Sequence, residues 1–556
     1  MANQLDCSSV VSKNLRSPTQ PRGYIVVFDA GSSGTRVHIY NFLPHYTSAA
    51  VPKVDRCVND VQTLKQKPGL SAIAEEFSPS LIPQHVSKAL TPLLDFARGF
   101  IPEDQWDSTP LVLKATAGLR AVEPAKAVRV ISAVANIFRK SGFMFETNWA
   151  SIIPGVEEGG LAWVTANYLA GTFEHDGSVM NDNAGSLGII EMGGGSAQVS
   201  FRMHNLDTFE HLDDDKSRPT RRFMFTDLSG RRHNIYALSY LGFGQDHAQR
   251  RLANYIDVNA ISSSSGGGGG GGGEHGTMEE DRSAVGEDGG RNVVGTDPCY
   301  RRSYARTTKR GNVQIRGTGN FQQCRQRIRS VLFNVSMPDQ PPLIPGLQTH
   351  KGYLQPPLTG SIIATENFWY GRRSPDIQPP AELSLDPMYM DRLGERFCGP
   401  ESDNLMVKLP KKDENVKFDE RNKYCFGLAF QSVLLDSLHA TGAQLPRIEK
   451  TIGGSDLDWA MGAAVIHFST HELELRKLWS RHGWELKVGT GARAGSGFEV
   501  KGWGVTMFEH PTSMLFVLMV IVGGIFYMLK KAGIKIPNAV GGRRKSFVSV
   551  MASKHV

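Results

Sequence analysis

The residues of this chain best suited to chemistry are acids that end apolar strands and lead into glycine-rich turns. Residues 24–40 run through an apolar, β-branched stretch to Asp29, then Ala30-Gly31-Ser32-Ser33-Gly34, then a second run opening on Thr35-Arg36. That grammar predicts a buried strand, a tight hairpin and a returning strand. Small residues in the turn let backbone N–H groups converge on an anion without Cβ atoms in the way. Asp29 is placed to hold a metal or its water beside that anion, because hard cations take oxygen ligands. A plain hairpin on a core strand reads the same way, so one copy alone decides little.

A second copy changes the weight. Residues 186–201 repeat the order of apolar strand, acid (Glu191), turn (Gly193-Gly194-Gly195) and strand (Ser196 onward, with Gln198). Two such hairpins in one chain predict two similar domains facing each other, with a polyphosphate pinched between their loops. Residues 110–114 read as a strand leading to Thr116 and Arg120, a hydroxyl and a guanidinium that can face phosphate oxygens. The same pattern also describes a common surface turn. Glu157 and Glu158 head a helix bearing Trp163 and Tyr168. They serve either as dipole complements at the surface or as a group that takes a proton from water. Neighbours on a helix point about 100° apart, so one of the two faces the cleft. The cluster Phe368-Trp369-Tyr370 is either core packing or a flat stacking face for a nucleobase.

The remaining chain must position these groups. Helical spacing marks residues 83–100; residues 121–140 and 323–333 read as further helices and 424–435 as a mostly apolar one, while 51–71 and 203–232 read as loops. A strand from residue 236 passes through Leu241-Gly242-Phe243-Gly244 into a basic helix. Residues 261–291 hold a serine run and eight consecutive glycines, too polar to fold. The expected organisation is a loose N-terminus at 1–21 and a first domain at 22–153 completed by 444–470. A second domain spans 154–443 around the disordered 261–291 insertion. A membrane-proximal segment at 471–512, a transmembrane helix at 513–529 and a basic cytosolic tail at 530–556 follow.

With 556 residues, 40% of them apolar, the chain is long enough for two domains and a large core. Its formal charge of +7 resides in the seven Lys/Arg of residues 530–556, so the body is near neutral and no nucleic-acid surface is expected. The uncharged stretch 513–529 stops at Lys530-Lys531, which places the tail in the cytosol and the body on the lumenal side. The N-terminal stretch has no apolar run of the signal-peptide kind, which resists that topology. Cys299 with Cys324 and Cys398 with Cys425 are spaced like local loop closures; an even count permits disulfides without proving them. There is no G-x-x-x-x-G-K-[ST] loop, H-E-x-x-H, C-x-x-C or G-x-S-x-G, which disfavours zinc.

With these pieces in order, the chain resembles the apyrase family of nucleoside triphosphate diphosphohydrolases over residues 22–470. The motifs are Phe28–Arg36, Ala115–Arg120, Glu158-Gly159 with Trp163 and Asn167, Met192–Gln198 and, more weakly, Trp459–Gly462. The C-terminal span, the 241–244 stretch and the 368–370 cluster look most like fungal Golgi apyrases. The resemblance implies an α/β fold of the actin and sugar-kinase type: two RNase H-like domains with a cleft between. It implies hydrolysis of nucleoside tri- and diphosphates to monophosphates with Ca²⁺ or Mg²⁺, clearing GDP or UDP left by Golgi glycosylation. Carried over by position, Glu158 is the base. Asp29 and Glu191 hold metal-bound waters. Gly31, Ser32, Ser33, Gly34, Thr35, Arg36 and Gly193–Ser196 cradle phosphates. Thr116, Arg120 and Gln198 polarise the cleft and place the water, and Trp369 or Tyr370 stacks on the base. Two departures stand out: Glu191 where the family usually has Asp, and Ser196-Ala197-Gln198 for the usual Ser-Thr-Gln. A non-catalytic nucleotide-binding membrane scaffold and a phosphotransferase of the same fold are the alternatives.

Overall fold

A computed structural model describes residues 23–42, 51–54, 62–173, 185–202, 224–228, 231–265, 294–308, 313–333, 348–349, 352–353, 358, 360–370, 385, 387–399, 423–438, 440 and 445–482. The expected N-terminal tail, transmembrane helix and basic tail lie outside these residues. Among the described residues no helix is long and apolar enough to cross a membrane.

The architecture is α/β, built on two mixed sheets. In the first half, β1 (Gly23–Ala30), β2 (Thr35–Phe42) and β3 (Thr63–Gln66) lead to α1 (Leu70–Glu76) and α2 (Ile82–Phe100). β4 (Leu111–Ala115), α3 (Ala117–Arg120), α4 (Pro124–Arg139) and β5 (Ala150–Ile152) complete it. The sheet order is β3-β2-β1-β4-β5, with β1 antiparallel to β2 and parallel to β4. Helix α5 (Gly155–Ala170) follows and ends on Gly171 in the left-handed region.

The second half carries β6 (Leu187–Met192), β7 (Ser196–Arg202), β8 (Met224–Leu228), β9 (Arg231–Leu241) and α6 (Gln245–Ser265). A small sheet of β10 (Val294–Asp297), β11 (Ala305–Thr307) and β12 (Gln314–Gly317) precedes α7 (Phe321–Leu332). After the short pair β13 (Gln348–Thr349) and β14 (Gly352–Tyr353) come β15 (Ser361–Glu366), α8 (Asn367–Tyr370), α9 (Pro387–Cys398) and α10 (Lys423–Ser437). The main sheet runs β16-β15-β6-β7-β9-β8, where β16 is Arg447–Ile448. Here β6 is antiparallel to β7 and parallel to β15, so each half places an acid-ending hairpin strand beside a parallel neighbour. The chain closes with β17 (Thr451–Ile452), β18 (Ser455–Asp456), α11 (Trp459–Thr470) and α12 (Glu472–Trp479).

The continuous apolar run of β1 follows from burial on both faces. Tyr24, Val26 and Phe28 enter the core under α2 and α4, while Ile25 and Val27 enter a central core with Trp163 of α5 and Ala464 of α11. A third core, around α7 and α10, fills the second half and holds the disulfides Cys299–Cys324 and Cys398–Cys425.

The structure departs from the sequence reading in four places. The stretch 51–71, read as a loop, contains β3 and the start of α1. The stretch 203–232 contains β8, a short edge strand, and the first residues of β9; a five-residue strand leaves little periodicity among the charged residues around it. Helix α6 continues through Ser265 because Ile261 still packs on the core, so the expected insertion begins later; residues 266–293 lie outside the described set. Finally, α12, expected as a segment leading toward a membrane, is held in the body by Leu475 and Trp479. Trp479 Nε1 donates to Ser108 O at 2.9 Å, and its ring occupies the space a side chain on Gly23 would need.

Helices α5 and α11 cross with backbone nearly touching. Gly462 N donates to Thr165 Oγ1 at 2.8 Å, and that hydroxyl donates to Asp458 O at 2.8 Å. A Cβ on Gly462 would collide with Leu161 O, a backbone atom that has no rotamer to yield. Gly462→Ala is therefore expected to destabilise the fold by about 1–3 kcal/mol, read as a lower denaturant midpoint at unchanged m-value.

Candidate active site

The two glycine hairpins meet. A Cβ placed on Gly194 would lie 2.9 Å from Ser32 Oγ, and one on Gly195 would lie 3.5 Å from it and 2.7 Å from Ala117 Cβ. A Cβ on Gly118 would lie 2.9 Å from Ser32 Cα, so α3 is wedged against both loops. Residues 31–34, 116–120 and 193–196, far apart in sequence, thus share one small volume.

The second loop is pinned from behind. Gly242 N donates to Gly195 O at 2.9 Å, Gln245 N to Gly193 O at 3.0 Å and His247 N to Gly194 O at 3.0 Å. In a trans peptide the N–H points opposite to the C=O of the same plane. With the carbonyls of 193–195 turned toward α6, the N–H groups of Gly194, Gly195 and Ser196 face the other way. That is a concave donor set of the kind that binds anions. In the first loop, Lys65 Nζ donates to Ser33 Oγ at 2.9 Å and brings a cation to the hairpin.

Beside the loops lies a connected polar network. Arg120 Nη2 donates to Glu158 Oε2 at 2.8 Å and to Ser196 Oγ at 3.1 Å, while its Nη1 donates to Ile153 O at 3.0 Å. Gln198 Nε2 donates to Ser196 Oγ at 2.6 Å. Since Ser196 Oγ accepts from both, its own proton is left to point elsewhere. Glu158 is 7% exposed, whereas Glu157 turns outward toward Lys114 at 4.0 Å. Thus Glu158 is the member of the pair that faces inward. Burial raises its pKa, against hydrogen bonds from Arg120 and Gln198 that favour the charged form.

Asp29 and Glu191 end equivalent strands, in register with Arg36 and Gln198. Burial pushes the Asp29 carboxyl up to about 8, with Arg36 pulling down and Asp458, Glu158 and Glu366 pushing up. Glu191 is raised well above the usual range by burial and then by Glu158, Glu366, Asp29 and Asp458. Asp29 Oδ1 and Glu191 Oε2 are buried with no hydrogen-bond partner. Among the described residues no three acids, histidines or cysteines converge as direct metal ligands. Orphaned buried carboxylate oxygens amid like charges fit a divalent cation held through its waters by Asp29 and Glu191.

Thr116 is buried at the start of α3, and Thr35 lies fully buried at the start of β2 with its Oγ1 unpartnered. Trp369 stands apart from the Arg120–Glu158–Ser196–Gln198 network. It lines a small open pocket with Arg36, Thr365, Glu366, Lys450, Asp456, Leu457 and Asp458. Its Nε1 is buried without a partner, and its ring also leans on the third core. Tyr370 ends α8, and its side chain lies outside the described residues.

Two acids of the cluster escaped sequence reasoning. Glu366 ends β15 beside Glu191's strand and sits at φ +61°, an uncommon conformation for a residue with a side chain. Its signal was present: Ser361–Glu366 is a third apolar strand ending in an acid. Asp458 caps α11 by accepting from Ala460 N at 2.8 Å and stands 3.3 Å from His38 Nδ1. A helix cap gives no sign, in sequence, of the cleft it borders.

Residues 16–481 match a family model described as GDA1/CD39 (nucleoside phosphatase) family. Probable apyrase 4 of Arabidopsis thaliana is 30% identical over 470 residues, 80% of this chain and 80% of its own. Ectonucleoside triphosphate diphosphohydrolase 6 of Rattus norvegicus is 28% identical over 414 residues, 71% of this chain and 79% of its own. The solved structure of nucleoside triphosphate hydrolases from Neospora caninum is similar at a TM-score of 0.49 and 15% identity. That match covers 85% of this chain and 98% of the other, a likeness too slight to bear on the fold.

Because folding raises the Asp29 pKa, its stabilising protonation is complete below the ordinary carboxylate range and is lost as pH rises toward 8. In chelator, the thermal midpoint is expected to fall between about pH 4 and pH 8. Asp29→Asn should shallow that slope and raise the midpoint at pH 8 by about 2–4 °C, measured by calorimetry.

Proposed function

The chain belongs to the GDA1/CD39 (nucleoside phosphatase) family and is a hydrolase of the apyrase kind; from that premise we propose that it cleaves terminal phosphoryl groups from nucleoside tri- and diphosphates, down to monophosphates, by direct attack of water. The observation that carries this reading is the meeting of the two glycine loops beside the Arg120–Glu158–Ser196–Gln198 network.

In this mechanism the phosphoryl row lies between the loops, with the N–H groups of Gly194, Gly195 and Ser196 on one side and residues 31–36 on the other. Glu158 accepts a proton from the water behind the terminal phosphorus. The water oxygen forms the new P–O bond, and the bridging P–O bond breaks with its electron pair leaving on the shortened nucleotide. Burial makes Glu158 a stronger base near neutral pH, while Arg120 fixes its orientation. Ser196, already accepting two hydrogen bonds, directs its proton to a phosphoryl oxygen, and Gln198 orients the water. Asp29 and Glu191 would hold a Ca²⁺ or Mg²⁺ ion through its waters, and that ion would supply positive charge to the phosphoryl oxygens. Preorganised donors of this kind supply most of the barrier lowering in phosphoryl transfer.

Trp369, at the rim of the pocket that Arg36 and Glu366 share, is the side chain best placed to stack on a nucleobase. The sequence features of the C-terminal stretch support a single-pass Golgi protein with a lumenal body, clearing GDP or UDP. Glycan attachment at Asn334, read as a glycosidase-sensitive mobility shift, is the expected sign of that topology.

The test of the activity is phosphate release from ATP, ADP, GDP and UDP with Ca²⁺ or Mg²⁺. Glu158→Gln is expected to lower kcat by about 10²–10⁴-fold with KM nearly unchanged. A wild type that binds nucleotide without turnover, and gains it on Glu191→Asp, would favour the scaffold; transfer to a sugar would favour a phosphotransferase.

A further inference from the structure

The second glycine loop rests on a polar strut that takes no part in the reaction. Helix α10 buries a mostly apolar face, with Phe426, Leu428, Ala429, Phe430, Val433 and Leu434 fully buried. Gln431 stands among them, equally buried. Its Nε2 donates to Asn367 O at 2.8 Å and lies 3.5 Å from Gln245 Oε1. Asn367 Nδ2 donates in turn to Met192 O at 2.9 Å, and Gln245 N donates to Gly193 O at 3.0 Å. The carbonyls of residues 192 and 193, where β6 becomes the loop, therefore both trace back to one side chain. Gln431 Oε1 is left buried with no partner, a cost that Leu or Met of similar volume would not incur.

A second observation points the same way. Asn367 follows Glu366, the one described residue other than glycine with a positive φ. Strained backbone persists only where its surroundings over-determine it. The bond from Gln431 to Asn367 O grips the chain one residue past that corner, and Glu366 contributes to the field felt by both Asp29 and Glu191. Packing alone does not account for an amide here; holding the corner and the loop in register does.

We propose that Gln431 is a positioning residue. Through Asn367 it fixes the entry to the Gly193–Gly195 loop and the Glu366 corner, so that the loop's N–H groups meet the phosphoryl row at the geometry turnover needs. This rests on the phosphohydrolase reading above. A small displacement of such donors weakens transition-state contacts more than ground-state binding, so the effect belongs in kcat.

The experiment uses the full chain with Gln431→Leu, Gln431→Met, Asn367→Ala and the Gln431→Leu/Asn367→Ala pair, assayed by phosphate release from a nucleoside diphosphate. Both 431 variants are expected to fold with a thermal midpoint within a few degrees of wild type, because an unsatisfied amide oxygen leaves the core while Asn367 O loses its donor. Their kcat should fall about 10-fold with KM moving less than about 3-fold. The double variant should be no slower than the slower single, since the two side chains form one strut. Unchanged kcat in either folded 431 variant, or losses that multiply in the double variant, overturns the proposal. Failure of both 431 variants to fold would make the residue a fold determinant and overturns it as well. A wild type that releases no phosphate instead removes the phosphohydrolase reading, and this inference with it.

Discussion

Carboxylates of one sign cannot all remain ionised in a dry cleft without positive charge to offset them, and the centre of this protein is built around that constraint. Asp29, Glu158, Glu366 and Asp458 all lie close enough to act on Glu191. Arg120 is hydrogen-bonded directly to Glu158, whereas Arg36 offsets Asp29 and Glu366, and Lys65 offsets Glu366, through space. The protonation of the cluster therefore depends on what enters the cleft. On the proposed reading, a cation arriving with a polyphosphate would relieve that repulsion and be held by it, so that binding and ionisation would become one event.

The rest of the structure keeps those groups from relaxing apart. The helices α5 and α11 lie in a core shared by both sheets, locked by Thr165 between Gly462 N and Asp458 O. The carboxylate nearest the network and the cap beside His38 are thereby carried on elements that approach to backbone contact. Each loop is held differently: the second by main-chain bonds from α6, the first by its own hairpin register and by Lys65.

Much of this was legible in the sequence, for identifiable reasons. The hairpin strands β1 and β6 bury both faces, and their unbroken apolar runs leave a signal that needs no partner to interpret. Helices α2, α4 and α7 announce themselves through spacing of apolar residues, and α10 through a mostly apolar composition. What was hidden is what neighbours decide. Strand β3 is a polar edge and β8 a short one, and each is extended because of the strand beside it. Glu157 and Glu158 are alike in sequence chemistry; the family resemblance singled out Glu158, and α5 against β7 turns that one inward. Asp458 and Glu366 became part of the cleft through tertiary placement, and Gln431 looked like one of several polar residues in α10.

Trp479 seated over Gly23 ties the last described helix to the first residue of β1, the strand whose other end carries Asp29. Anything that lifted α12 away would thus uncover the start of β1, because the indole covers the space beside Gly23. The ladders to β2 and β4 hold β1 independently of that ring, so fraying at this end would leave the carboxylate at the far end in place.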